Sequence, residues 1–319
     1  MKLQFYLGFV SLIFLWAYST PANGYNVVCY FSSWAIYRNF SGKFDVSDID
    51  PHLCTHVNFA FVELYEDGSL YIVDPWESND RNNGGYYEGF KQLKNLKNTN
   101  PGLKILLSLG GWNEGSKNFS IVAADQSKRE RLARECLALI EEYDYDGIDI
   151  DWEYPTLREG SHPSDKVKYT SVIFIIINEG YGINTRFLHP WPKLSCLYFL
   201  NLFVEPYTIP ELVEFRYLDM INVMAYDYHG AFDNLVGHVS PLHASSKDYQ
   251  HGRNATYTVV SMADQYWLYK NADPSKINLG LPTYGRTFTL ADRTKTELYS
   301  EVLGPGERGL YTGIRGSSV

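Results

Sequence analysis

Three carboxylates stand two residues apart in the stretch Asp146-Gly-Ile-Asp149-Ile-Asp151-Trp-Glu153-Tyr-Pro155. Ile148, Ile150 and Trp152 fill the alternate places. Successive side chains of a β-strand point to opposite faces, so this spacing lines Asp149, Asp151 and Glu153 along one face and the apolar residues along the other. At roughly 3.3 Å per residue the outer two lie about 13 Å apart along the strand, with Asp151 midway. Carboxylates in a row disfavour each other's ionisation, so one proton can be held at the end of the row near neutral pH. A residue in that state can act as a general acid. A solvated strand face and a site for a hard metal ion are the alternatives. The Ile/Trp alternation argues against the first, because it implies that both faces are covered.

The rest of the chain supplies elements able to position such a strand. Apolar runs at Val27–Phe31, Thr55–Phe61, Lys104–Leu109, Gly147–Trp152, Leu218–Ala225 and Lys276–Leu281 read as strands. Helix-like spacing intervenes at Tyr86–Leu96, at Gln126–Glu142, where Leu132, Cys136, Leu139 and Ile140 form an apolar stripe, and at Tyr257–Tyr269. Strand followed by helix, repeated, predicts parallel strands joined by crossover helices. Polar residues cluster just after the strands, where a (β/α)₈ barrel carries its active site. A doubly wound sheet is the alternative, but no Gly-rich phosphate fingerprint follows any strand. The expected class is therefore α/β, a TIM-type (β/α)₈ barrel. Thr170–Glu205 shows no helical periodicity, although a strand fits within Leu194–Val204. No eighth strand is legible after Leu281, so the barrel is expected to be incomplete.

Composition narrows the function. With 319 residues, 45% of them hydrophobic, the chain can bury a full barrel core. A net charge of -9 argues against nucleic acid or an anionic membrane as partner. Lys2, the apolar run Phe5–Trp16 and the small-residue site Ala22-Asn23-Gly24 resemble a secretory leader over residues 1–24, too short to span a bilayer. Secretion permits disulfides. Cys29 and Cys54 fall at or near consecutive strand candidates and pair first, whereas Cys136 on its helical stripe reads as a buried thiol and Cys196 has no assigned partner. Asn39, Asn118 and Asn254 are acceptor sequons for N-glycans.

Other residues join the carboxylate row. In Leu218–Gly230, Met224 and Tyr226 share a parity that faces the barrel interior, with Asp227 at the strand's end. A tyrosine hydroxyl and a further carboxylate there could orient a substrate amide; a tyrosine satisfied within the core is the alternative. Trp34, Trp112 and Tyr284 at strand ends offer flat faces on which sugar rings stack.

Taken together these residues resemble family 18 glycoside hydrolases, the chitinases and chitinase-like lectins, with arthropod chitinases the nearest likeness. Ser108-Leu109-Gly110-Gly111-Trp112 is similar to the family's third-strand motif. Asp146 to Glu153 satisfies its DxxDxDxE signature, Met224-Ala225-Tyr226-Asp227 its sixth-strand motif, and Gly280-Leu-Pro-Thr-Tyr284-Gly-Arg286 its seventh. The likeness runs from about Tyr25 to Lys168 and from Tyr207 to Leu290. It implies a secreted, endo-type chitinase that cleaves β-1,4 bonds between N-acetylglucosamine units by a retaining, substrate-assisted route. On that likeness Glu153 is the acid, and Asp151 supports the substrate's acetamido group with Asp149 behind it. Tyr226 and Asp227 place the group, and Tyr30, Trp34, Phe61, Trp112, Met224, Tyr284 and Arg286 line the sugar sites. The Cys29–Cys54 pair matches a family disulfide position. Neither a metal nor a cofactor is expected, and the protein is expected to act as a monomer on chitin or chito-oligosaccharides. The resemblance divides the chain into a leader (1–24), a catalytic barrel (25–290) and the start of an α+β insertion or a disordered tail (291–319). A catalytically weak or inactive chitin-binding lectin, or a truncated non-functional product, is the alternative.

Overall fold

A computed structural model describes residues 24–74, 88–180, 193–198, 218–251, 258–261, 267–268 and 272–318. All but the last residue of the expected leader (1–24), Asn254 and most of the Tyr257–Tyr269 helix candidate lie outside the described residues.

Seven strands form a parallel sheet in chain order: β1 (Val28–Ser32), β2 (His56–Leu64), β4 (Lys104–Gly110), β5 (Gly147–Asp151), β6 (Lys193–Tyr198), β7 (Met220–Val223) and β8 (Ile277–Leu279). A short β3 (Leu70–Tyr71) turns back antiparallel onto β2. Each expected strand is present, and β6 falls within the window Leu194–Val204 apart from its first residue. Its register, Asp149 opposite Ser195 and Ser195 opposite Met220, seats it between β5 and β7.

The helices between the first five strands are α1 (Gly89–Asn95), α2 (Lys117–Ala124), α3 (Gln126–Tyr143) and α4 (Asp165–Gly180), and short helical segments follow at Ser246–Gln250 and Val259–Ser261. Asp125 caps α3 by accepting from the Ser127 and Lys128 backbone N–H groups, satisfying donors that a helix start leaves free. The apolar stripe of α3 is buried as expected at Leu132, Cys136 and Ile140. Helix α4 departs from expectation, since from Thr170 onward it runs into the segment that showed no helical period. The reason is compositional. Ser171-Val-Ile-Phe-Ile-Ile-Ile177 is apolar at almost every place, which hides the period, yet Val172, Ile173 and Ile176 are buried against neighbouring helices while Phe174 is exposed. Tertiary packing overrides the modest helix propensity of β-branched residues.

The main apolar core lies between sheet and helices, with Phe31, Phe59, Leu107, Ile148, Ile150, Ile221 and Val223 facing outward from the strands. Phe59 packs on Phe90 of α1 at 4.5 Å between centroids, and Trp152 stacks on Phe119 of α2 at 5.0 Å. Such aromatic pairs add about 0.5–1.5 kcal/mol beyond their area burial. The opposite parity turns inward, and there the lining is polar: Tyr30, Asn58, Ser108, Asp149, Asp151 and Asn222. Beyond β8, β9 (Gly285–Arg286) pairs with β12 (Ser317–Ser318) and β10 (Phe288–Leu290) with β11 (Val302–Pro305), all antiparallel.

The disulfide forms as expected. Cys29 on β1 bonds Cys54, just before β2, at 6.1 Å between Cα atoms. Cys136 is a buried free thiol, and burial pushes its pKa up.

Candidate active site

The carboxylate row sits on β5 and the residues that follow it. Asp149 and Asp151 are fully enclosed, and Glu153 is 8% exposed at the C-terminal end of the sheet. Burying like charges together carries a cost, and the proton affinities show it. Burial raises the pKa of Asp151 well above the usual carboxylate range, and the charges of Glu153 and Asp149 push it further. Glu153 is also raised, chiefly by burial and then by Asp227, while a Tyr154 hydrogen bond and the Arg158 charge pull the other way. The Asp151–Glu153 part of the row therefore holds a proton more tightly than ordinary carboxylates do, most strongly at the middle member.

Asp149 is the anchored member. Its Oδ2 accepts from the Tyr30 hydroxyl at 3.0 Å and the Ser108 hydroxyl at 2.7 Å, and its Oδ1 from Asn222 Nδ2 at 3.3 Å. Asp151 differs: its Oδ1 is buried without a hydrogen-bond partner among the described residues. An enclosed acceptor left open costs free energy unless a ligand supplies the donor.

The glycines of Ser108-Leu-Gly-Gly-Trp112 make this enclosure possible. Gly110 and Gly111 have φ of +113° and +87°. A Cβ at Gly110 would lie 2.2 Å from the Asp151 carbonyl oxygen, and one at Gly111 would lie 2.8 Å from the Phe61 ring. Without side chains they let β4 close on β5, where Gly111 N–H donates to the Asp151 carbonyl at 2.9 Å.

The residues after β7 and β8 meet across the same rim. Tyr284 donates its hydroxyl to Asp227 Oδ2 at 2.7 Å, and Arg286 Nε donates to Asp227 Oδ1 at 2.7 Å. The Tyr226 ring stands edge-on to Tyr284 at 6.2 Å. Burial raises the Tyr226 pKa, and the negative fields of Asp151, Glu153, Asp227 and Asp149 add to it, which keeps the hydroxyl a donor. Met224 is buried beneath. Trp34 and Trp112 expose 43% and 59% of their surface, enough to present a flat face. Trp34 is stacked on Phe61 at 6.1 Å.

Tyr30 thus meets Asp149, Tyr226 and Arg286 meet Tyr284 and Asp227, Trp34 meets Phe61, and Trp112 is tied through Arg158 to Glu153. Sequence reading missed several others. Arg158 lies 4.0 Å over the Trp112 ring and donates to the carbonyl oxygens of Trp112 and Glu153, so one guanidinium ties the aromatic platform to the backbone of the acid. Tyr154 hydrogen-bonds the Glu153 carboxyl. Asn222 shares the parity of Met224 and was findable by that rule; nothing in the sequence marked Arg158. Among the described residues no group of three or more potential ligands could hold a metal ion.

Residues 26–312 match the family described as glycosyl hydrolases family 18. The chain belongs to glycosyl hydrolase family 18. A family 18 chain of this kind folds as a TIM-type (β/α)₈ barrel, and the parallel strands above are part of that architecture. Probable chitinase 2 of Drosophila melanogaster is 36% identical over 294 residues, which is 92% of this chain and 56% of the fly protein. The chain thus spans little more than half that relative's length. The crystal structure of the Ostrinia furnacalis group IV chitinase in complex with allosamidin superposes with a TM-score of 0.82 at 36% identity, covering 92% of this chain and 75% of that one. Human YKL-39, a pseudo-chitinase with retained chitooligosaccharide binding, gives a TM-score of 0.78 at 28% identity over 92% of this chain and 76% of its own.

Proposed function

We propose that this family 18 protein is a secreted chitinase that hydrolyses internal β-1,4 bonds between N-acetylglucosamine units with retention and with help from the substrate. The observation that carries the reading is the graded row, in which Asp149 is fully bonded, Asp151 holds an enclosed open acceptor, and Glu153 is an acid at the rim. Glu153 protonates the glycosidic oxygen as the bond to the anomeric carbon breaks. The sugar's acetamido oxygen attacks that carbon and forms an oxazolinium ion. Asp151 Oδ1 accepts the acetamido N–H and balances the positive charge. Tyr226 donates to the acetamido oxygen, with Asp227 fixed by Tyr284 and Arg286 beside it. Glu153 then takes a proton from water as the ring reopens, as microscopic reversibility requires. Trp34, Trp112 and Tyr284 stack on sugar rings along the rim, with Tyr30, Phe61 and Met224 shaping the floor. Because the substrate supplies the nucleophile, no second protein carboxylate is needed at bonding distance from the anomeric carbon.

The leader pattern and the Cys29–Cys54 bond support export to an oxidising compartment. Among the described residues no helix is long and apolar enough to cross a membrane. Of the sequons, Asn39 is exposed and is the acceptor we favour. Asn118 already uses Nδ2 to donate to the Leu64 carbonyl at 2.9 Å, a bond that a glycan would compete with. We take the protein to act as a monomer.

A second reading, oligosaccharide binding without turnover, is favoured by the likeness to YKL-39. Proton NMR of the first products from a chitin oligomer separates the two. The β-anomer appearing first supports retention, the α-anomer first overturns it, and binding without product establishes the second reading.

A further inference from the structure

One hydrogen-bond chain inside the barrel is not used by the chemistry above. Asn278 on β8 donates its Nδ2 to Asn222 Oδ1 at 2.9 Å. Asn222 on β7 in turn directs Nδ2 to Asp149 Oδ1 at 3.3 Å and to the Tyr30 hydroxyl oxygen at 3.0 Å. A carboxamide has a donating end and an accepting end of nearly equal shape, so its orientation is set by its partners. Acceptors at its amino end, Asp149 and the Tyr30 hydroxyl oxygen, and a donor at its carbonyl, Asn278, set it here. The carboxylate of Asp149 attracts the amino end of Asn222, and the N–H of Asn278 requires its carbonyl. The first influence vanishes when Asp149 is protonated, whereas the second does not.

We propose that Asn278 is a positioning residue for the carboxylate row, holding Asn222 as a donor toward Asp149 so that the shared proton stays on the Asp151 side, next to Glu153. A protonated Asp149 would meet a fixed N–H where it needs an acceptor, and this penalises protonation at that end of the row. The unflipped amide also keeps Tyr30 in place, since its hydroxyl accepts from Asn222 while donating to Asp149.

The groups that face Asp149 come from several strands. Tyr30 faces it from β1, Asp151 from β5 and Tyr226 from the segment after β7, while the charges of Glu153 and Asp227 act on Asp151 and Tyr226 beside it. Ser108 of β4, Asn58 of β2 and Asn278 of β8 are uncharged, and the side chains of β6 lie outside the described residues.

The inference rests on the proposed function only for its effect on rate, and its first readout does not need turnover. Aspartate carboxyl carbons are followed by NMR through a pH titration in the parent, Asn278→Leu and Asn278→Gln. Loss of one donor from the relay is expected to raise the lower apparent titration of the Asp149–Asp151 pair by about half a pH unit or more in Asn278→Leu. Asn278→Gln, which keeps an amide, is expected to stay near the parent. Since Asn278 acts through Asn222, the double variant Asn222→Leu/Asn278→Leu should shift no further than Asn222→Leu alone. A titration in Asn278→Leu that superposes on the parent's overturns the proposal, and so do additive shifts in the double variant. If Asn278→Leu lacks a cooperative melt, Asn278→Ser is read in the same way with the same criteria. In a parent that turns over substrate, the acid limb of kcat moves with the titration while KM stays within about twofold. A parent without turnover refutes the proposed function and leaves the titration result standing.

Discussion

Replacing Asp151 with Asn separates the charge of that residue from its shape. The side chain is enclosed at 1% exposure, between Asp149 and Glu153 along the row. Asn preserves volume and an acceptor for the acetamido N–H, so a hydrogen bond of about 1 kcal/mol survives. What disappears is the negative charge facing the oxazolinium ion. Two unit charges at about 4 Å with an effective dielectric constant near 20 interact by about 4 kcal/mol, or roughly three decades of rate. Partial compensation by the remaining field of Asp149 and Asp227 brings the expected loss in kcat to about a hundredfold to a thousandfold, comparable to removal of one preorganised electrostatic partner. The same change relieves repulsion within a buried row, whose cost shows in the raised pKa of Asp151, so the variant is expected to melt no lower than the parent. The assay is fluorophore release from an N-acetylchito-oligomer, with a thermal melt alongside. A variant within about threefold of the parent rate would refute the assigned role, because no structural compensation could hide a loss of that size.

Further outcomes follow from the surroundings. Arg158→Met removes the positive charge that lowers the Glu153 pKa, so the basic limb of kcat/KM should move to higher pH; an unmoved limb would show that the guanidinium only props the Trp112 ring. Glu114 beside Trp112 is pushed from 4.5 to about 7, first by burial and then by Glu63, against the Leu64 N–H that bonds it. Its folded state therefore binds the proton more tightly, a contribution fully present below about pH 4.5 and lost as pH rises through about 7. Glu114→Gln should consequently gain stability over the parent at pH 8 compared with pH 5, by no more than about 2 kcal/mol after allowance for its partly solvated side, and equal denaturation midpoints at both values would count against this. Cys29→Ala with Cys54→Ala opens a loop of sequence separation 25, worth about 3.5 kcal/mol in chain entropy, and should lower Tm by about 10 °C; an unchanged melt after reduction would contradict it.

Much of this site could be read before the fold was known, because strand periodicity is strict. Asp149, Asp151 and Glu153 announce a face by alternation alone, and the same rule puts Met224 and Tyr226 inward. The glycine pair at Gly110 and Gly111 belongs to a recognisable motif, although the close approach it permits emerges only when β4 meets β5. Helix α4 was not legible, since a run of isoleucines carries no periodic contrast and is sorted by its neighbours instead. Arg158, Asn222 and Asn278 were missed for another reason. Strand parity turns Asn222 inward but does not reveal its partners, since it reaches Tyr30 across 192 residues, and Asn278 is a lone polar residue of the same kind, while Arg158 lies in a turn that carries no periodic signal.

The central claim is that Glu153 is the acid of a working chitin-cleaving site. The most direct test is fluorophore release from an N-acetylglucosamine oligomer by the purified protein, with Glu153→Gln beside it. The account predicts turnover by the parent and its loss in the variant, with oligomer binding retained by both. Turnover that persists in Glu153→Gln would contradict the assignment of the acid. Saturable binding by a cooperatively folded parent without turnover would contradict the enzyme reading itself.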